Sequence, residues 1–212
     1  MAQRAANRRP LPDCFDYRPG WVTEHRSVFE ELTAAIGWEH NDIRIAGRTV
    51  PIPRLTCWMG EADYVYSGVR NRPRPTPAAV AALQGRLQAE VGATFNSCLA
   101  NLYRDGRDSI SYHSDDEPEL GRRPVIASIS LGDRRRFVLR HQLTGDRWQL
   151  DLGAGDLLIM SAESQADYRH AVPKTTRPVG PRMNLTFRRF ALDGRRPGSD
   201  GGPGRSPETP AS

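Results

Sequence analysis

The chain has 212 residues, with 30 lysines and arginines against 25 acidic residues, a net charge of +5 and 38% hydrophobic residues. That size suits one domain with extensions and can bury a real core. Cys14, Cys57 and Cys98 are odd in number, widely spaced and in no CxxC arrangement, which excludes a disulfide framework or zinc knuckle and fits a reducing cytoplasm.

Every basic residue except Lys174 is arginine. The basic excess suits a polyanionic partner, but a GC-rich codon bias yields the same composition, so charge alone decides nothing. No apolar run approaches membrane-spanning length, and no apolar segment follows the basic residues of Met1 to Arg9. Neither a membrane anchor nor a signal peptide is therefore expected.

Residues 1–12 and 193–212 are polar and rich in Pro, Gly, Ser or Arg, and are expected to be loose, leaving residues 13–192 as the folded unit. Thr23 is placed to cap a first helix carrying Val28, Phe29, Leu32 and Ile36 on one face, with Gly37 past its end. A hairpin follows, Ile43 to Ile45 and Thr49 to Ile52, turning at Ala46-Gly47. Thr76-Pro77 opens a second helix with Val80, Leu83, Leu87 and Val91 as its buried stripe and Gly92 as its stop. Eight strands then follow, at 94–103, 109–113, 124–131, 135–141, 147–152, 156–160, 168–172 and 181–190. Turns at Asp105-Gly106, Gly121, Gly132-Asp133, Gly145-Asp146, Gly153–Gly155 and Pro178–Pro181 separate them. Two helices before eight strands imply an α+β, mainly β fold: a jelly roll over residues 94–190 buttressed by the two N-terminal helices. An immunoglobulin-type sandwich competes, but its Cys–Trp–Cys signature is missing.

The last strand carries an unusual face. Strand side chains alternate, so Arg182, Asn184, Thr186 and Arg188 share one side while Met183, Leu185 and Phe187 share the other. Upstream, His113-Ser114-Asp115 puts an imidazole and a carboxylate on one face, and His170 lies near the end of the seventh strand. Two His and one carboxylate are the facial triad of non-haem Fe(II) oxygenases, which leaves coordination positions open. Two guanidiniums on a wall of the same cavity would clamp a small dianion such as a 2-oxo acid. Without that ligand the cavity should be wet or loosely packed, because buried unpaired arginines are costly.

These residues resemble the AlkB family of Fe(II)/2-oxoglutarate-dependent dioxygenases, closest to its DNA-repair branch. The resemblance rests on Asn101-Leu102-Tyr103-Arg104, His113 to Glu117, Ala127 to Gly132, His170 and Arg182 to Arg188, in the family's order. It implies a double-stranded β-helix, with Fe(II) held by His113, Asp115 and His170. Arg188 would meet the far carboxylate of 2-oxoglutarate, helped by Tyr103, and Asn101, Arg182, Asn184 and Thr186 would make the remaining co-substrate contacts. It further implies a nucleotide-recognition lid over residues 43–75. There Tyr64 and Tyr66 would cover a flipped base, with Asp116 reading its edge and Arg48 on the backbone. Arg70, Arg72, Arg74 and the Arg134–Arg136 run are further phosphate contacts to consider, against ordinary solvated loops.

The implied reaction is oxidative demethylation, with O2 as co-substrate, of N1-methyladenine and N3-methylcytosine in single- or double-stranded DNA. It would release formaldehyde, succinate and CO2, by a cytoplasmic monomer without membrane contact. An oxygenase acting on RNA, protein or a small molecule, or a non-catalytic nucleic-acid-binding module, remains the alternative.

Overall fold

The computed structural model describes residues 9–45, 47–61, 63–66, 69–121 and 123–191. In chain order its elements are β1 (Phe15–Arg18), α1 (His25–Ala35), β2 (Asp42–Ile45), β3 (Arg48–Pro51), β4 (Leu55–Gly60), β5 (Tyr64–Tyr66) and β6 (Val69–Asn71). Then come α2 (Ala78–Val91), β7 (Ser97–Tyr103), β8 (Ile110–His113), a 3-10 turn (Pro118–Leu120), β9 (Ile126–Gly132), β10 (Arg135–His141) and β11 (Arg147–Leu152). The chain closes with β12 (Asp156–Met160), α3 (Ala162–Asp167), β13 (Tyr168–Val172) and β14 (Arg182–Arg188).

Two sheets make the double-sheet roll. The larger runs β1-β12-β9-β14-β7-β4, the smaller β11-β10-β13-β8, with β2–β3 and β5–β6 as separate hairpins. All eight strands expected between residues 94 and 190 form. Binary patterning explains the layering. In β11, Trp148, Leu150 and Leu152 are buried while Arg147, Gln149 and Asp151 are exposed, the alternation of a sheet with one wet face. Every residue of β14 is buried, because this strand is covered on both sides.

One side of the larger sheet meets the helices. Leu32 and Ile36 of the first helical segment, and Val80, Leu83 and Leu87 of α2, join Ile129, Leu131, Met183, Leu185 and Phe187 in one apolar cluster. The other side faces the smaller sheet through Tyr103, Ile126, Leu139, Trp148, Leu158 and Val172. Gly92 ends α2 in the left-handed conformation at φ 68°, where a Cβ would be strained.

Several expectations need correction. Thr23 does not cap α1: the cap position is Glu24, which makes no side-chain cap bond; at the other end the C-cap is an extended Ile36, with Gly37 just past it as expected. Residues 9–12 are docked at the edge of the smaller sheet, since Trp148 Nε1 donates to the Pro10 carbonyl at 2.9 Å and Arg9 pairs with Asp146 at 2.9 Å. Strands β1 and β4 and helix α3 add to the expected set. The apolar run of β4, with Cys57, Trp58 and Met59 all buried, shows no alternation to betray a strand. No helix among the described residues is long and apolar enough to cross a membrane. The tail 193–212, Ala46, Ser67 and Gly68 lie outside the described residues.

Candidate active site

Strands β8 and β13 pair antiparallel with His113 and His170 directly opposite each other. Their rings stand 4.2 Å apart between centroids. Asp115 lies two residues past the end of β8. Its amide donates to Gln165 Oε1 at 2.9 Å, so α3 fixes the turn that brings the carboxylate back to the imidazoles. The donor atoms of His113, Asp115 and His170 all lie within 4.8 Å of one another. Both imidazole Nε2 atoms face the carboxylate, at 3.8 Å from His113 and 4.0 Å from His170.

Protonation suits a metal. His113 Nδ1 is 2.9 Å from the Ser111 carbonyl, which can only accept, so the proton sits on Nδ1 and Nε2 keeps its lone pair. Burial pushes the His170 imidazole down to about 3, and the neighbouring His113 adds to the effect. Burial also lowers His113, against the pull of Asp115. For Asp115, burial works to raise the carboxyl, but the opposing interactions, the Arg188 guanidinium foremost, hold the group below the ordinary range. Two neutral imidazoles and one carboxylate in a facial arrangement fit a divalent first-row ion such as Fe(II).

The cavity beside this triad, of 70 Å³, is lined along β14 by Arg182, Asn184, Thr186 and Arg188. Arg188 Nη2 donates to Asp115 Oδ1 at 2.7 Å, so this arginine stands at the triad end. Arg182 stands at the other end, where its Nε donates to the Leu152 carbonyl at 3.2 Å and its Nη2 to Ser130 Oγ at 2.7 Å. The two ends are separate because Leu152 pairs with Arg135 on β10 whereas His170 pairs with Leu139. Four residues of strand span roughly 13 Å. Arg182 Nη1 is buried and has no hydrogen-bond partner among the described residues. The Tyr103 ring lies 5.3 Å from its guanidinium carbon. Burial lowers this arginine to about 10, still charged at neutral pH. A buried cation with an unused donor fits an anionic carboxylate, as 2-oxoglutarate would supply. Between the ends, Asn184 Nδ2 donates to Ser128 Oγ at 2.8 Å, and Thr186 Oγ1 donates to Asn184 Oδ1 at 3.0 Å.

Four residues have roles that the sequence reading did not assign. Arg54, 5% exposed, lines the cavity and donates from Nε to Asn101 Oδ1 at 2.7 Å. Ser128 and Ser130 hold Asn184 and Arg182; two serines alternating in an otherwise apolar run were the available signal. Gln165 gave none, since a six-residue helix carries no readable period.

At the mouth the outcome is mixed. Asp116 and Arg48 are exposed, and Tyr64 and Tyr66 belong to β5, whose side chains lie outside the described residues, as does that of Arg70. Arg72 is exposed, while Arg74 bonds Glu39 through Nε at 2.7 Å. The Arg134–Arg136 run is not a phosphate comb. Arg134, though half exposed, bonds Asp156 at 2.7 Å, and Arg135, 2% exposed, donates to the carbonyls of Asp105, Asp108 and Pro173, while Arg136 is exposed.

Comparison with known proteins agrees with this geometry. The family model described as the 2OG-Fe(II) oxygenase superfamily matches residues 16–188. Alpha-ketoglutarate-dependent dioxygenase alkB homolog 3 of Bos taurus is 41% identical over 189 residues, covering 84% of this chain and 66% of that protein. DNA oxidative demethylase ALKBH2 of Mus musculus is 34% identical over 180 residues, covering 79% of this chain and 75% of that protein. The chain thus spans just under two thirds of the length of the alkB homolog 3 proteins. The solved structure of OsALKBH1 superposes with a TM-score of 0.56 at 17% identity, covering 85% of this chain and all of that one, which speaks for the fold alone. A family model over most of the chain, and a demethylase relative covered for three quarters of its length, place this protein in the AlkB family of the 2OG-Fe(II) oxygenase superfamily.

Proposed function

We propose that the chain is an Fe(II)/2-oxoglutarate-dependent oxygenase that oxidatively removes N-methyl groups from damaged bases in nucleic acid, with N1-methyladenine and N3-methylcytosine in DNA as its substrates. The observation that carries this is the pairing of a neutral-imidazole triad with a buried cation across one small cavity, in a chain whose relatives include a DNA oxidative demethylase. His113, Asp115 and His170 would hold the Fe(II), which when bound would supply the activation of O2, with 2-oxoglutarate as the co-substrate converted to succinate and CO2.

The protein's own contribution is placement and exclusion of water. Ser111 fixes the His113 tautomer and Gln165 holds the Asp115 turn. Arg182, with its unused Nη1 and the Tyr103 ring beside it, receives the far carboxylate of the co-substrate. This reverses the sequence expectation for Arg188, whose bond to Asp115 supports a role at the metal end. Apolar walls from Leu99, Phe137, Met160 and Val172 keep water from the reacting carbon. Asp42, the first residue of the β2–β3 hairpin, and Asn41 and Ile52, which flank it, also line the cavity, supporting residues 43–75 as the lid over the target base. Asp116, exposed beside the triad, complements the positive charge of the two methylated bases, whose blocked pairing edges lower the cost of flipping. The hydroxylated methyl carbon would leave as formaldehyde, restoring the base.

The test is incubation with Fe(II), 2-oxoglutarate, ascorbate and an oligonucleotide bearing N3-methylcytosine. Cytosine, formaldehyde and succinate are expected together. A surviving lesion with succinate formed at full rate would make the chain an oxygenase for another substrate. Arg182→Met should raise the KM for 2-oxoglutarate tenfold or more, about 1.4 kcal/mol, without changing apo-protein affinity for Mn(II). Arg188→Met should change metal affinity. The opposite pattern would return the far carboxylate to Arg188.

A further inference from the structure

The outer face of the smaller sheet carries a row of arginines that the catalytic reading leaves unused. Arg140 on β10 sits directly opposite Arg147 on β11 and directly opposite Arg169 on β13. All three are exposed, and among the described residues none has an ion-pair or hydrogen-bond partner. Like charges directly opposite on neighbouring strands destabilise a sheet. Adjacent strands are about 4.8 Å apart, so three guanidiniums converge over roughly 10 Å. The acidic residue that this face does offer, Asp151, stands opposite Arg136, two positions along β10 from Val138 and outside the row.

Beside the row is a recess of 170 Å³ bounded by Tyr112, Arg140, Gln142 and Arg169. Tyr112 is 38% exposed, one of the few large apolar side chains left open to solvent among the described residues. Its chain neighbour is His113, and the neighbour of Arg169 is His170, so the strip lies on the reverse side of the two strands that carry the imidazoles.

We propose that this face docks a stretch of single-stranded nucleic acid flanking the target base, with Arg147, Arg140 and Arg169 on successive phosphates and Tyr112 against an unpaired base. The proposal rests on the nucleic-acid reading above and names the surface that reading lacks. A concentration of unneutralised cations calls for a polyanion, and an exposed ring set among them distinguishes a single strand, whose bases offer free faces, from a duplex, whose bases do not. Gln142 completes the recess with an amide that can meet either a base edge or a phosphate.

The measurement is the salt dependence of binding to a fluorescent N3-methylcytosine single strand, together with turnover of a methylated trinucleotide too short to reach the strip. The combined Arg140→Gln, Arg147→Gln, Arg169→Gln variant should flatten the plot of log affinity against log salt by about 2 and weaken binding roughly a hundredfold at 0.1 M salt, at 0.7 per phosphate. Its trinucleotide turnover should match wild type, which also certifies the fold. Tyr112→Leu should weaken single-strand binding and leave the slope unchanged. A triple variant with the wild-type slope overturns the strip. Equal loss on a duplex, with no effect of Tyr112→Leu, overturns the single-strand assignment. If wild type neither binds nor demethylates the oligonucleotide, the functional reading itself has failed, an outcome separate from the other two.

Discussion

Replacing Arg135 by methionine tests whether this residue is a structural brace or a surface cation. Its guanidinium donates to three carbonyls, Asp105 at 2.7 Å, Asp108 at 2.8 Å and Pro173 at 2.9 Å, and lies 5.8 Å from the Tyr103 ring. It therefore ties the loop before β8 to the segment after β13. Hydrogen bonds from a charged donor contribute about 1.5–3 kcal/mol each, so three set an upper bound near 9 kcal/mol. Desolvation of the guanidinium, which also lowers its pKa, offsets much of that. Breaking a buried charged network typically costs about 3–5 kcal/mol, so we expect Arg135→Met to lose that much. In a domain of this size each kcal/mol moves Tm by about 2–4 °C, giving a fall of roughly 6–20 °C in a calorimetric scan. Arg136→Met, at an exposed position, should stay within about 0.5 kcal/mol of wild type. Wild-type melting of Arg135→Met, within about 2 °C, would refute the brace.

Two smaller predictions accompany it. At Gly155, φ is 87° and a Cβ would meet the Val22 carbonyl oxygen at 2.2 Å, so Gly155→Ala should cost more than about 2 kcal/mol in urea unfolding; Gly47→Ala, at φ 79° with nothing within 4 Å, should cost only the conformational strain of about 1–2 kcal/mol. Thiol labelling of the native protein at pH 8 should modify Cys14 first, since burial pushes Cys57 up to about 11 and Cys98 higher still, whereas unfolding should expose all three; rapid native labelling of Cys98 would contradict its burial.

Much of this was legible in the residues, for reasons that differ from place to place. The eight strands were readable because turns of Gly, Asp and Pro separate short apolar runs, and the polar face of β14 because alternation is a local property. Alternation says which face a side chain takes but not which end of a cavity it reaches. That is why the sequence put both arginines on the wall without showing which one stands at the triad: Asp115, 73 positions away in sequence, arrives beside Arg188 from a loop. The HxD spacing was read as two positions of one strand. In the structure the strand stops at His113, and Gln165 of a short helix closes the geometry instead. Arg134 and Arg135 misled for a related reason, because composition counts a basic residue alike whether it braces three carbonyls or faces water.

The position of β14 has a kinetic corollary. It is flanked along its length by β9 on one side and β7 on the other, in register from Arg182 to Phe187 on both. Amides so placed exchange with deuterium only when the whole domain opens, on the slowest clock available to the fold. The wall that carries both arginines therefore cannot breathe locally to admit or release a small dianion. Entry and exit are then expected to follow faster segments, such as the β2–β3 hairpin whose first and flanking residues line the cavity, leaving the protection of β14 untouched.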